Sequence, residues 1–270
     1  MQDDVSDITH FYDESVLQEE ERLLRHQLEF DLTWRYLEEF LPADGPILEI
    51  GAATGRYTVP LAQRGHSVTA VDFSPALLAR CRENVAGAGL SGRVTFQVAD
   101  ARDLSAVPSG PYAAVLLMGP LYHLVEAADR RLALQNAIDR LASGAPLFTA
   151  FISRYGIMGD LIKNVPAWIE EQEKVRAHLA TGRRPEGVPA GGFRGYFVRA
   201  EEVVPLHEEM GLETVAFAAV EPGISADDES YNLLEGDQRR LWLDLLYQIS
   251  TEPSLIGASR HLLYIGRKPA

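Results

Sequence analysis

The stretch ILEIGAATGRYTVPLA, residues 47–62, constrains this chain most. An apolar run carrying one acid, Glu49, breaks into Gly51-Ala52-Ala53-Thr54-Gly55 and is followed at once by a helical pattern. The two glycines let the backbone turn sharply and approach a ligand closely, and a helix starting there offers unpaired N–H groups. Further short apolar strands are predicted at 67–73, 94–99, 113–118 and 146–152, with helices at 55–64, 75–86 and 127–142. Alternation of this kind predicts a parallel sheet covered by helices on both faces.

A long helix is predicted over 15–41, with Ser15 and Gln18 as a capping box and Leu17, Leu24, Leu28, Leu32 and Leu37 as its apolar stripe. The rhythm breaks after residue 153 and again over 223–257, and between the breaks come a helix at 200–210 and a strand at 213–220. A last strand, RHLLYIGRK, closes the pattern at 260–268. The expected organisation is a helical lid (1–45), a ligand-binding core (46–153), a cap insertion (154–199), and the remainder of the core (200–270) with a second cap insertion at 223–257. No polar hinge separates two domains.

In an open parallel sheet the ligand lies beyond the carboxyl ends of the strands, where strand order reverses. A dinucleotide is the obvious candidate, but its fingerprint needs glycines at relative positions 1, 3 and 6. Counted from Gly51, the second and third fall on Ala53 and Arg56. Glu49 would repel a pyrophosphate and suits a ligand bearing an ammonium group. Asp72, about 20 residues past the turn, stands where an acid accepts from ribose hydroxyls. Phe73 can lie on an adenine face; Asp100 can accept from an exocyclic amine, and Ala101 leaves room for the ring.

Together with VADARDL and AAVLLMGPLYHL, the glycine-turn segment resembles the class I S-adenosylmethionine-dependent methyltransferases over residues 46–152, and more loosely at the last strand. The resemblance implies a Rossmann-like, seven-stranded, mostly parallel sheet in the order 3-2-1-4-5-7-6, the seventh strand antiparallel. It implies S-adenosylmethionine as cofactor, with Glu49, Gly51, Ala53 and Gly55 around the methionine part and Tyr57 covering the pocket. Asp72 and Phe73 would meet the ribose and adenine, Asp100 and Ala101 the adenine edge. Met118 and Gly119 would lie near the reactive methyl. HFYDES resembles segments that fold over the cofactor in small-molecule methyltransferases, which makes Tyr12 a lid residue and substrate contact. After the fourth strand, His123 is the candidate base and Tyr122 its neighbour; Arg154, Tyr155, Phe193 and Tyr196 are candidates for the acceptor pocket.

The net charge of −14 argues against a nucleic-acid partner. The single cysteine, Cys81, excludes a disulfide framework and a thiolate-rich metal site, and it reads as a packed thiol; no metal is expected. No apolar run approaches a bilayer span, and the acidic start lacks a signal peptide, so a soluble cytoplasmic monomer or homodimer is expected. The expected function is N- or O-methylation of a small molecule, with a weak lean to nitrogen from the acids of EPGISADDES. A cofactor-binding regulator and an aminopropyltransferase-like enzyme are the alternatives.

Overall fold

The computed structural model describes residues 4–184 and 195–270. Three helices open it: α1 (Ser6–Glu14), α2 (Val16–Arg25) and α3 (Gln27–Phe40). The single helix predicted over 15–41 is therefore broken, because the backbone leaves the helical region at Ser15 and at His26. The second bend turns the His26 ring to within hydrogen-bonding distance of Arg260 (2.8 Å) and Asp228 (3.0 Å). Ser15 makes no side-chain cap, so the predicted capping box is absent. Of the predicted stripe, Leu28, Leu32 and Leu37 are buried, whereas Leu17 and Leu24 face solvent.

The alternating core follows: β1 (Pro46–Ile50), α4 (Thr58–Gln63), β2 (Ser67–Asp72), α5 (Pro75–Gly87), β3 (Val94–Val98), β4 (Ala114–Leu117), α6 (Pro120–His123), α7 (Ala127–Asp139) and β5 (Pro146–Ile152). Ser74 caps α5 through its hydroxyl, with Pro75 in the first turn, as such a pair should. Next come α8 (Met158–Asn164), α9 (Gln172–Thr181), and a short hairpin of β6 (Arg183–Arg184) and β7 (Gly195–Tyr196). The chain finishes with α10 (Ala200–Glu209), β8 (Glu213–Ala219), α11 (Asp228–Asn232), α12 (Gly236–Ile249), α13 (Pro253–Ile256) and β9 (His261–Arg267).

The seven-stranded sheet has the order β3-β2-β1-β4-β5-β9-β8. The first five strands are mutually parallel, and β9 is antiparallel to both its neighbours. This is the expected order. Period-two alternation divides the strand residues between two cores: Leu48, Ile50, Val115 and Leu117 face one, Ile47, Ala114, Leu116 and Phe148 the other. Strand order reverses between β1 and β4, so the crevice opens beyond Ile50 and Leu117.

The second interruption mostly does not cap that crevice. The Arg239 guanidinium meets Asp31 at 2.7 Å and the Tyr247 ring lies 4.7 Å from that of Tyr36, so α12 packs against α3.

Candidate active site

A cavity of about 1110 Å³, counted out to its open mouth, lies at the strand-order reversal. Its floor is the turn after β1. Gly51 takes φ 87°, and a Cβ there would come within 2.7 Å of Pro120 and 2.9 Å of the Met118 carbonyl. The absent side chain thus lets β1 and β4 end side by side. Gly55 has another task. A Cβ on it would sit 2.9 Å from the Cys81 sulfur; the residue does not line the cavity, and its bareness seats the turn on α5. Cys81 is buried as expected, and burial pushes its thiol up to about 12.

Glu49, Ala53, Tyr57, Asp72, Phe73, Asp100, Ala101, Met118 and Gly119 all line this cavity, as does Gly51. Glu49 is 1 % exposed and accepts a hydrogen bond from the Thr58 hydroxyl at 2.5 Å. Burial, reinforced by Asp72, pushes its carboxyl up to about 8 despite the Thr58 bond. Asp72 accepts from the backbone N–H groups of Ala53 (2.8 Å) and Ser74 (2.9 Å), which fix its orientation. Burial still raises it to about 6. Asp100 is already held by Arg102, whose guanidinium reaches both its oxygens (2.6 and 3.0 Å) and also bridges to Asp129 at 2.9 Å. The sequence reading did not include that arginine; the fork reaching both oxygens fixes the carboxylate's plane.

Beside the expected Tyr12, the first helices supply residues that sequence reading missed: Glu19, Arg22 and Glu29 also line the cavity. The Tyr12 hydroxyl lies 3.1 Å from His123 Nε2, joining a lid candidate and a base candidate into one buried pair. Asp13 accepts from the Ser74 hydroxyl at 2.5 Å, while Ile8 and Tyr12 cluster with Leu77. No sequence periodicity announces these contacts.

A second cavity, about 1590 Å³ to its mouth, adjoins the first. Tyr12, Glu19, Arg22, Tyr122 and His261 line both. Ile152, Ile157, Leu161 and Phe197 give it an apolar wall, and Asp160, Asp228 and Arg260 a charged one. Arg154, Tyr155 and Tyr196, three of the residues expected to form the acceptor pocket, lie elsewhere. Arg154 is buried, donating to the Phe197 carbonyl (3.1 Å) and to Glu202 (3.3 Å); it braces the first insertion. Tyr155 is 48 % exposed. The Tyr196 hydroxyl donates to Glu202, and the Arg130 guanidinium covers its ring at 3.5 Å. Neither tyrosine lines either cavity. Phe193 lies outside the described residues.

His26, Glu221 and Asp228 converge with ligand atoms within 4.8 Å of one another. The Arg260 guanidinium reaches all three, so the cation of this cluster is the arginine. Two of the four acids of EPGISADDES, Glu221 and Asp228, are thus ion-paired to Arg260, while Asp227 accepts from the Ser230 N–H and Glu229 lies 3.9 Å from Lys163.

The charges lining the first cavity test the cofactor. Arg22 is bidentate with Glu19 (2.7 Å), and Arg56 pairs with Glu29 (3.9 Å) and donates to the Leu23 and His26 carbonyls. Glu49 and Asp72 remain without a cationic partner of their own. Among the described residues a pyrophosphate would meet only arginines already paired to glutamates, whereas a ligand carrying an ammonium and a sulfonium suits these carboxylates, and the donor set therefore fits S-adenosylmethionine.

Comparison with known proteins agrees. Residues 47–144 match a family profile described as a methyltransferase domain. The tRNA 5-carboxymethoxyuridine methyltransferase of Escherichia coli K12 is 26 % identical over 136 residues, 49 % of this chain and 51 % of that protein. The ubiquinone biosynthesis O-methyltransferase of Xanthomonas axonopodis pv. citri is 28 % identical over 113 residues, 42 % of this chain and 45 % of that protein. The chain thus spans about half the length of these curated relatives. A solved S-adenosylmethionine-dependent methyltransferase of Methanosarcina mazei superposes with a TM-score of 0.60 at 17 % identity, covering 87 % of this chain and 97 % of that one, a likeness of fold. Residues 47–144 thus match a methyltransferase domain, and the sheet around them is completed in the strand order expected of the class I S-adenosylmethionine-dependent methyltransferase fold.

Proposed function

We propose that this protein transfers a methyl group from S-adenosylmethionine to nitrogen or oxygen of a small molecule. One observation carries the reading: an acid-lined cavity at the strand-order reversal shares a wall with a second cavity large enough for an acceptor. The bound cofactor supplies an electrophilic methyl on a sulfonium. The chain's own residues have to align the acceptor and keep water out. Glu49 and Asp72 hold the cofactor, Phe73 lies beside its base, and Tyr122 stands where the two cavities meet. Helices α1 and α2 act as a lid, latched by Asp13 on Ser74. His123, whose Nε2 already faces the Tyr12 hydroxyl, works as a positioning residue for that lid.

The partly apolar second cavity and the charge of −14 favour a small acceptor over a nucleic acid. The ubiquinone biosynthesis relative is an O-methyltransferase by name, and the other relative modifies tRNA. With Glu221 and Asp228 of EPGISADDES ion-paired to Arg260, the lean to nitrogen loses its main support, and nitrogen and oxygen acceptors stand level. Calorimetry with S-adenosylhomocysteine, followed by tritiated methyl transfer to phenols, amines and bulk tRNA, tests the reading. Labelled phenol or amine supports it. Labelled tRNA alone refutes the acceptor class, cofactor binding without any transfer favours the regulator, and failure to bind cofactor refutes the whole reading.

A further inference from the structure

His261 has drawn no role so far. It is the first residue of β9, and because β9 runs antiparallel, it pairs with Ile152, the last residue of β5. The register brings it to the edge where the parallel strands end, and it lines both cavities. Its Nδ1 lies 3.1 Å from Glu221 Oε2, and its backbone N–H donates to the same oxygen at 3.1 Å. Burial alone would raise the Glu221 carboxyl, but His261 and Arg260 hold it far below the ordinary range. An ionised carboxylate only accepts, so Nδ1 carries the proton and Nε2 the lone pair. Among the described residues, Nε2 has no hydrogen-bond partner. A carboxylate that fixes an imidazole's tautomer and steadies the imidazolium is the arrangement that general-base chemistry requires.

We propose that His261, oriented by Glu221, is the general base that accepts the acceptor's proton, a role the sequence reading gave to His123. The inference rests on the methyl-transfer reading above. The acceptor's O–H or N–H bond breaks and its electron pair stays on the heteroatom to bond the methyl carbon, while the methyl–sulfur bond of the sulfonium breaks with its pair going to sulfur, which leaves as the neutral thioether; the proton goes to Nε2 and then to solvent. The groups facing His261 are Glu221 and Arg260, His26 with its ring 6.0 Å away, and Glu29, whose carboxyl is drawn down partly by His261. Glu221 is a positioning residue, since it acts through the imidazole.

The test has two arms. Nitrogen-15 spectra of histidine-labelled protein, with and without S-adenosylhomocysteine, should show neutral His261 protonated on Nδ1. Glu221→Gln should erase that preference. An Nε2–H tautomer overturns the inference whatever the activity arm gives. In single turnover with S-adenosylmethionine, His261→Asn keeps a donor for Glu221 but loses Nε2. It should slow methylation of para-cresol by about 10²–10⁴-fold, the usual span for acid–base catalysis, while S-adenosylhomocysteine affinity stays unchanged. The deficit should shrink for para-nitrophenol, a more acidic phenol that needs less help losing its proton. An equal deficit for both phenols, with the fold intact by circular dichroism, marks a structural role and overturns the inference. If the parent binds cofactor yet methylates neither phenols nor amines, the acceptor reading has failed, and the tautomer arm still decides whether the dyad exists.

Discussion

The acid that ends β1 offers the sharpest quantitative test. Glu49 is buried beside Asp72, and its carboxyl is pushed up to about 8, so the ligand-free protein holds it protonated at neutral pH. A cationic ligand in the cavity needs the carboxylate. Removing the proton costs about 1.4 kcal/mol per pH unit below that value, hence about 1.4 kcal/mol at pH 7 and about 2.7 kcal/mol at pH 6. Affinity for S-adenosylhomocysteine should therefore fall roughly tenfold per unit as pH drops from 8 to 6. The drop ends once the lower pKa of the complex is reached. Calorimetry at pH 7 in two buffers of different ionisation enthalpy should register close to one proton released per ligand bound. Glu49→Gln should abolish most of that release and flatten the pH profile. Equal proton release by parent and variant would refute the assignment of Glu49 as the ligand's counter-charge.

Asp72→Asn should weaken S-adenosylhomocysteine binding about 10- to 150-fold, the loss of a charge-assisted hydrogen bond worth roughly 1.5–3 kcal/mol; unchanged calorimetric affinity would remove the ribose assignment. Gly51→Val should damage the fold as well as the site, because its Cβ would strike Pro120 and the Met118 carbonyl at a φ of 87°; a thermal melt matching the parent's would contradict that geometry. Deleting residues 1–14 should leave the sheet folded by circular dichroism but speed S-adenosylhomocysteine release in stopped flow, since Ile8, Tyr12 and the Asp13 latch are lost; an unchanged off-rate would rule out the lid. His207 is buried with Nε2 2.9 Å from the Thr149 hydroxyl, and burial lowers it from 6.5 to about 4. The unfolded chain binds that proton first, so stability should be full above about pH 6.5 and fall by roughly 3 kcal/mol towards pH 4; a His207→Gln variant whose denaturation midpoints keep the same acid slope would disprove it.

How much of this was legible beforehand follows from the range of the forces involved. Short continuous apolar runs announced the core strands, because a strand covered on both faces must be apolar throughout. Gly51 and Asp72 could be read because their task is local: one needs a positive φ at a turn, the other a strand end a fixed distance away. The same local logic overreached at residues 15–41, where helix propensity continues through Ser15 and His26 but the chain bends. It also overreached at Arg154 and Tyr196, whose place in the first insertion suggested an acceptor contact, although Glu202 and, for Arg154, backbone carbonyls already occupy them.

The sequence by itself determined the sheet, the ligand-binding turn and its acidic character, since each follows from residues near one another along the chain. Tertiary structure alone decided which side chains meet where the cavities join. Glu19 and Arg22 reach that place from a helix that looks like any solvated one, and Tyr12 finds His123 across 111 positions. His261 is there because an antiparallel strand, inserted between two others, begins where its neighbours end. That position is a property of strand order and register, set by the packing of the whole sheet, and no window of neighbouring residues carries it.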